Sequence, residues 1–110
     1  MVSQVKESDW KLFRQKLPGW QEAYMERLNQ EYVALLTGSG KASEKFWALE
    51  KRIRKDQHHV GVVARMSRSE MYQNILCLLD EGAITLSDLG DFSEDLRERV
   101  AFVMREYEDR

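Results

Sequence analysis

The chain of 110 residues holds one cysteine, one proline and two histidines. Cys77 has no second cysteine to pair with, so no intramolecular disulfide staples the fold, as suits a reducing cytoplasm. A single Pro18 and six glycines leave little room for a turn-rich β architecture. No apolar run approaches the ~18 residues of a membrane-spanning helix. No apolar stretch behind a basic start marks a secretory leader. Residues 1–110 therefore read as one cytoplasmic domain without a membrane anchor, with residues 1–7 frayed.

Catalytic signatures are also missing. His58 and His59 are adjacent, and adjacent helical side chains diverge by about 100°, so the pair cannot close on one metal ion unaided. Gly40-Lys41 looks superficially like a phosphate-binding loop. That loop needs a glycine five positions before the second one, and Leu35 stands there; it also follows a strand, whereas this stretch follows a helix. Glu22 and Glu26, one helical turn apart, have no nucleophile or metal cluster beside them and read as solvated acids. Cys77 lies inside an apolar run and reads as an inert thiol. The chain is expected to be no enzyme and to need no cofactor and no metal.

What is present is helical periodicity. Hydrophobic residues make up 43% and charged residues 33%, a composition that can bury a core. The pattern predicts a short helix from Asp9 to about Leu17, capped by Ser8, with Trp10, Phe13 and Leu17 on one face. Pro18 ends it and opens a second helix to about Leu36, striped by Trp20, Tyr24, Leu28, Tyr32 and Leu35. Gly38 suits the position just past that helix. Ser67 and Glu70 fit a capping box for a helix to Asp80 burying Met71, Tyr72, Ile75, Leu78 and Leu79. Gly82 closes it, and Thr85 and Asp88 bound a short turn whose Leu86, Leu89 and Phe92 fill a gap. Ser93 caps a last helix, Glu94 to about Glu106, striped by Leu96, Val100, Val103, Met104 and Tyr107.

Between these lies the stretch that organises the expectation. Ser43 to Ser67 reads as one helix of about 23 residues, roughly 35 Å long, with an alternative in which it runs on to Leu79. Phe46, Leu49, Ile53, Val60 and Ala64 share one stripe. Lys51, Arg54, Lys55, His58 and Arg65 share the opposite one, with Trp47 among them. The expected fold is all-α: a small bundle of about five helices around a long central helix. Residues 45–68 carry seven basic and two acidic side chains; residues 69–110 carry four and eleven. This asymmetry predicts internal pairing, a basic surface for an acidic protein, or one for nucleic acid. The pI near 5.7 and the lack of an amide side chain on the ridge argue against a dedicated DNA reader. Arg and Trp are the residue types that dominate protein contacts. The candidate binding residues are therefore Trp47, Lys51, Arg54, Lys55, His58 and Arg65, facing an acidic protein surface. The chain itself would be a monomer or a homodimer, in the latter case with the basic ridge on its twin's acidic helix.

Asp9-Trp10 with Phe13 and Leu17-Pro18, Tyr24, Asn29, Phe46-Trp47, Ser67-Arg68-Ser69 with Met71, Gly82, and Phe92-Ser93 with Leu96-Arg97-Glu98 carry a resemblance. The chain resembles a group of short, uncharacterised helical proteins of anaerobic gut bacteria and their mobile elements. Some of these bear the name multidrug transporter, which their composition does not support. The resemblance implies no activity, cofactor or substrate. It implies an accessory factor carried by a phage or mobile element, one that blocks a host protein.

Overall fold

The computed structural model describes residues 5–108, and the element order is four α-helices with two 3-10 turns. They are α1 (Glu7–Thr37), α2 (Ala42–Asp56), α3 (Met71–Asp80) and α4 (Glu94–Glu108), with 3-10 turns at Arg68–Glu70 and Leu86–Leu89. There is no strand among the described residues. Residues 1–4 of the expected frayed start lie outside them, while Glu7 is already helical.

The fold is all-α, but its longest helix is the first and not a central one. The break expected at Pro18 does not occur: α1 runs for 31 residues through it. Proline forfeits one amide hydrogen bond and crowds the carbonyl one turn back, costing about 3 kcal/mol. Here the buried stripe outweighs that cost. Phe13 and Leu17 before the proline and Trp20 and Tyr24 after it lie on one face. The Phe13 and Trp20 rings meet edge to face across the proline at 6.3 Å, and Trp20 stacks on Phe92 at 6.2 Å. Pro18 itself points outward. Replacing it should therefore restore the bond to the Arg14 carbonyl without loss of packing. We expect Pro18→Ala to raise the unfolding free energy by about 2 kcal/mol, read from urea denaturation; a destabilised variant would contradict this account.

The core gathers on the first half of α1. Phe13, Leu17, Met71, Ile75, Leu78, Leu89, Leu96 and Val100 are fully buried, so α1, α3, the second 3-10 turn and α4 close on one another. The starts of α1 and α4 are tied together by Asp9. Its buried carboxylate accepts from the Ser93 amide at 2.9 Å and the Ser93 hydroxyl at 2.6 Å. The Ser93 oxygen in turn accepts from the Leu96 amide at 3.2 Å, capping α4. Of the remaining expected caps, Ser8 and Ser43 fall inside first turns. Glu44 takes the Lys41 amide instead, at 3.0 Å. Ser67 makes no cap bond and touches the Ser69 hydroxyl, so the reciprocal box drawn there is absent. Thr85 and Asp88 do form one. Val103 and Tyr107, placed in the core by periodicity, are exposed; they line an open cleft between α3 and α4.

Past Leu28, α1 leaves this body. Gly38 is extended, and the left-handed residue that reverses the chain is Gly40, at φ 127. Helix α2 then folds back along α1, and the two form a hairpin arm. The molecule is accordingly elongated, 54 × 32 × 23 Å, with a radius of gyration of 16.6 Å where a compact chain of this length has about 13 Å.

Candidate functional site

Helix α2 carries most of the residues singled out above, and its seat on α1 is polar. Lys45, Leu49, Arg52 and Asp56 form its inner stripe at helical spacing. Asp56 is buried and accepts from the Tyr32 hydroxyl at 2.6 Å. Arg52 lies over the Tyr32 ring, 5.5 Å from its centroid. It reaches Glu31 at 2.7 Å and Asp56 at 3.4 Å. This clamp of two charged pairs and a phenol sets the angle of the arm.

The clamp makes the arm sensitive to strong base. Burial first, then the hydrogen bond to Asp56 and the repulsion of its carboxylate, push the Tyr32 phenol from 10.0 up to about 12. A folded-state value above the unfolded one means that the stabilisation is complete below pH 10 and is lost as pH climbs towards 12. Thermal melts of the wild type should therefore fall in this window, and Tyr32→Phe should flatten the fall. Tyr24 is shifted the same way, chiefly by burial, so a residual slope remains. Equal slopes in the two proteins would exclude Tyr32 as the titrating group.

Helix α2 ends at Asp56 and does not continue to Ser67. The amides of Val60 and Gly61 would bond backwards in a helix; instead both donate to the Glu81 carboxylate, at 2.9 and 3.0 Å. His59 is held by the Tyr24 hydroxyl at 2.8 Å, and Gln21 donates to the Val60 carbonyl at 2.9 Å. These long-range bonds draw residues 57–67 across α1 as an irregular strap. Val60 and Ala64 pack against the core from this strap, not from a helix. The Asn74 amide group donates to the Arg65 carbonyl at 3.0 Å and fixes the strap's far end.

The proposed ridge is thereby cut short. Trp47, Lys51 and Arg54 share the outward side of α2 and are exposed; Lys55, also exposed, stands at its edge, where it lines a cleft with Arg27, Glu31 and Asp56. His58 and Arg65 are exposed too, but they belong to the strap and do not continue the helical face. Arg54 pairs with Glu50 one turn back, whereas Lys51 and Lys55 make no ion pair among the described residues. Among the described residues no basic side chain of the middle pairs with the acidic C-terminal third. Both pair with α1 or the residue just before it instead: Arg52 with Glu31 and Arg68 with Glu7, Lys6 with Asp95 and Lys16 with Asp91.

The chain matches no family model, no curated protein and no solved structure.

The larger departure concerns the apolar stripe. Phe46 and Ile53 were expected in the core, yet they are 62% and 43% exposed. Phe46 meets Trp47 edge to face at 5.0 Å, and Trp47 is itself 63% exposed. The stripe is real as a pattern, but the arm carries it away from the body. With Leu49 it lines a shallow groove flanked by Glu50, Arg54 and Gln57. Among the described residues no three His, Cys, Asp or Glu side chains are grouped to hold a metal, and no helix is long and apolar enough to cross a membrane.

Proposed function

We propose that the protein is a non-catalytic binding module that presents the outward side of α2 to an acidic surface of a protein partner in the cytoplasm. The observation that carries this reading is the company Trp47 keeps. A large, exposed aromatic side chain stands beside Lys51, with Lys55 at the edge of the same side, and neither lysine forms an ion pair among the described residues. Burying the indole supplies the anchor, and the two ammonium groups supply the preference for an acidic partner. His58 and Arg65 lie off this face and serve at most as flanking charge. The resemblance to mobile-element proteins makes the partner a host protein whose work is blocked.

The rival use of the same side is phosphate tracking along nucleic acid. Few cations line up here, and the chain as a whole is acidic, so such binding would be weak and would fade steeply with salt. Two measurements separate the readings. Random-sequence DNA and RNA should show no association at low salt; association there would favour the rival. In parallel, host proteins cross-linked to the wild type should include at least one that is lost when Trp47→Ala or the Lys51→Glu, Lys55→Glu pair is used. If every captured protein survives both variants, the outward side is not the contact.

A further inference from the structure

A different side of the arm is apolar, and it points to a second copy of this chain. Arg27 and Glu31 of α1 and Arg52 and Lys55 of α2 line one common cleft, which marks one side of the hairpin. Helical spacing then sends Val33 and Leu36 of α1, and Phe46 and Ile53 of α2, to the opposite side. They are 59%, 43%, 62% and 43% exposed. Both helices of the hairpin therefore bare their large apolar residues on the same side. Phe46, Leu49 and Ile53 stand at i, i+3 and i+7, the spacing with which one helix packs against another.

We propose that two copies associate through this side, hairpin on hairpin, forming an antiparallel four-helix bundle. Three features select a second copy over another occupant. The first is charge balance: residues 22–57 carry seven basic and six acidic side chains, so two hairpins meet without net repulsion. The second is the order of charges at the edge of the groove, where Glu50 and Arg54, already paired with each other within the helix, have opposite signs. A two-fold axis reverses that order, so the two intrahelical pairs meet head to tail, each carboxylate on the side of the other copy's guanidinium. An acidic partner would meet Glu50, and a basic one would meet Arg54. The third is area. The exposed apolar side chains offer about 400 Å² per copy, roughly half of the ~800 Å² that each partner gives to a standard interface. Glu50, Arg54, Gln57 and Asn29 around them make up much of the rest. Two helical hairpins pairing in this way is a common route to a bundle.

The arrangement leaves Trp47, Lys51 and Lys55 on the outside of each copy, so it does not depend on the binding proposed above. Sedimentation equilibrium of the purified chain up to high micromolar concentration tests it without any partner. The expected result is a species of twice the 13.0 kDa chain mass. Phe46→Glu with Ile53→Glu should weaken the dimer by about a hundredfold. Both side chains are exposed, so far-ultraviolet circular dichroism should stay unchanged. Glu50→Arg should weaken the dimer as well, and adding Arg54→Glu should restore it. A strict monomer at the highest concentration overturns the proposal. So does a dimer that survives Phe46→Glu with Ile53→Glu but is lost on Val103→Glu with Tyr107→Glu, since that places the contact on α3 and α4.

Discussion

Gly61→Ala should lower the unfolding free energy by about 3 kcal/mol, although it adds a single methyl group. A Cβ at this position would stand 2.2 Å from Cδ2 of Tyr24 and 2.8 Å from two further ring carbons. The ring cannot step aside. Tyr24 is buried, its hydroxyl is tied to His59, and the Arg27 guanidinium lies over the ring, 5.5 Å from its centroid. The strap must lift instead, and lifting it breaks the two amide bonds to Glu81 and the bond from Gln21 to Val60. The partly buried Glu81 contacts cannot be replaced by water without loss. Gly19→Ala is the matched control. Nothing lies within 4 Å of a Cβ there, and the site is inside α1, so the same change should stabilise by up to ~1 kcal/mol. Urea denaturation of the two variants should give shifts of opposite sign. A Gly61→Ala protein as stable as the wild type would show that the strap does not rest on Tyr24.

Asp56→Ala should lower the unfolding free energy by about 2 kcal/mol, with the loss concentrated in the arm. The substitution leaves the Tyr32 hydroxyl without its acceptor and Arg52 with Glu31 alone. Little else holds α2 down, because its inner stripe offers one leucine among charged residues and its aromatic residues face outward. Hydrogen exchange should show the α2 amides losing protection while those of α3 and α4 keep theirs, the signature of a locally opened unit. Asp56→Asn keeps an acceptor for Tyr32 but gives up the charge facing Arg52, and should fall between the two. Unchanged protection of α2 in Asp56→Ala would mean that something other than this clamp seats the arm. The arm would then keep its orientation, and both binding proposals, which need it in place, would be unaffected.

The all-helical character was legible in the residues themselves. Short-range periodicity, the cap at Ser93, the Thr85–Asp88 pair and the glycine after α3 are local signals. They act through contacts within one or two turns, which a sequence displays directly. The body's core was legible for the same reason: Phe13, Leu17, Met71, Ile75, Leu78, Leu96 and Val100 all sit on periodic stripes, and all are buried.

Three features were not legible, and each depends on residues far apart in the chain. Pro18 reads as a break because its cost is local, while the stacking of Trp20 on Phe92 that outweighs it joins residues from opposite ends. The stretch from Ser43 to Ser67 reads as one helix because nothing nearby announces that Glu81 will take the amides of Val60 and Gly61. Phe46 and Ile53 read as core because an apolar stripe has no mark that tells an inner contact from an unshared one. Residue types and their spacing thus decided which segments coil and which side of each is oily. Packing decided where α2 stops, which of its sides meets α1 and which is left to water, since those outcomes rest on the Glu81 carboxylate and the Tyr32 phenol, brought in from other parts of the chain.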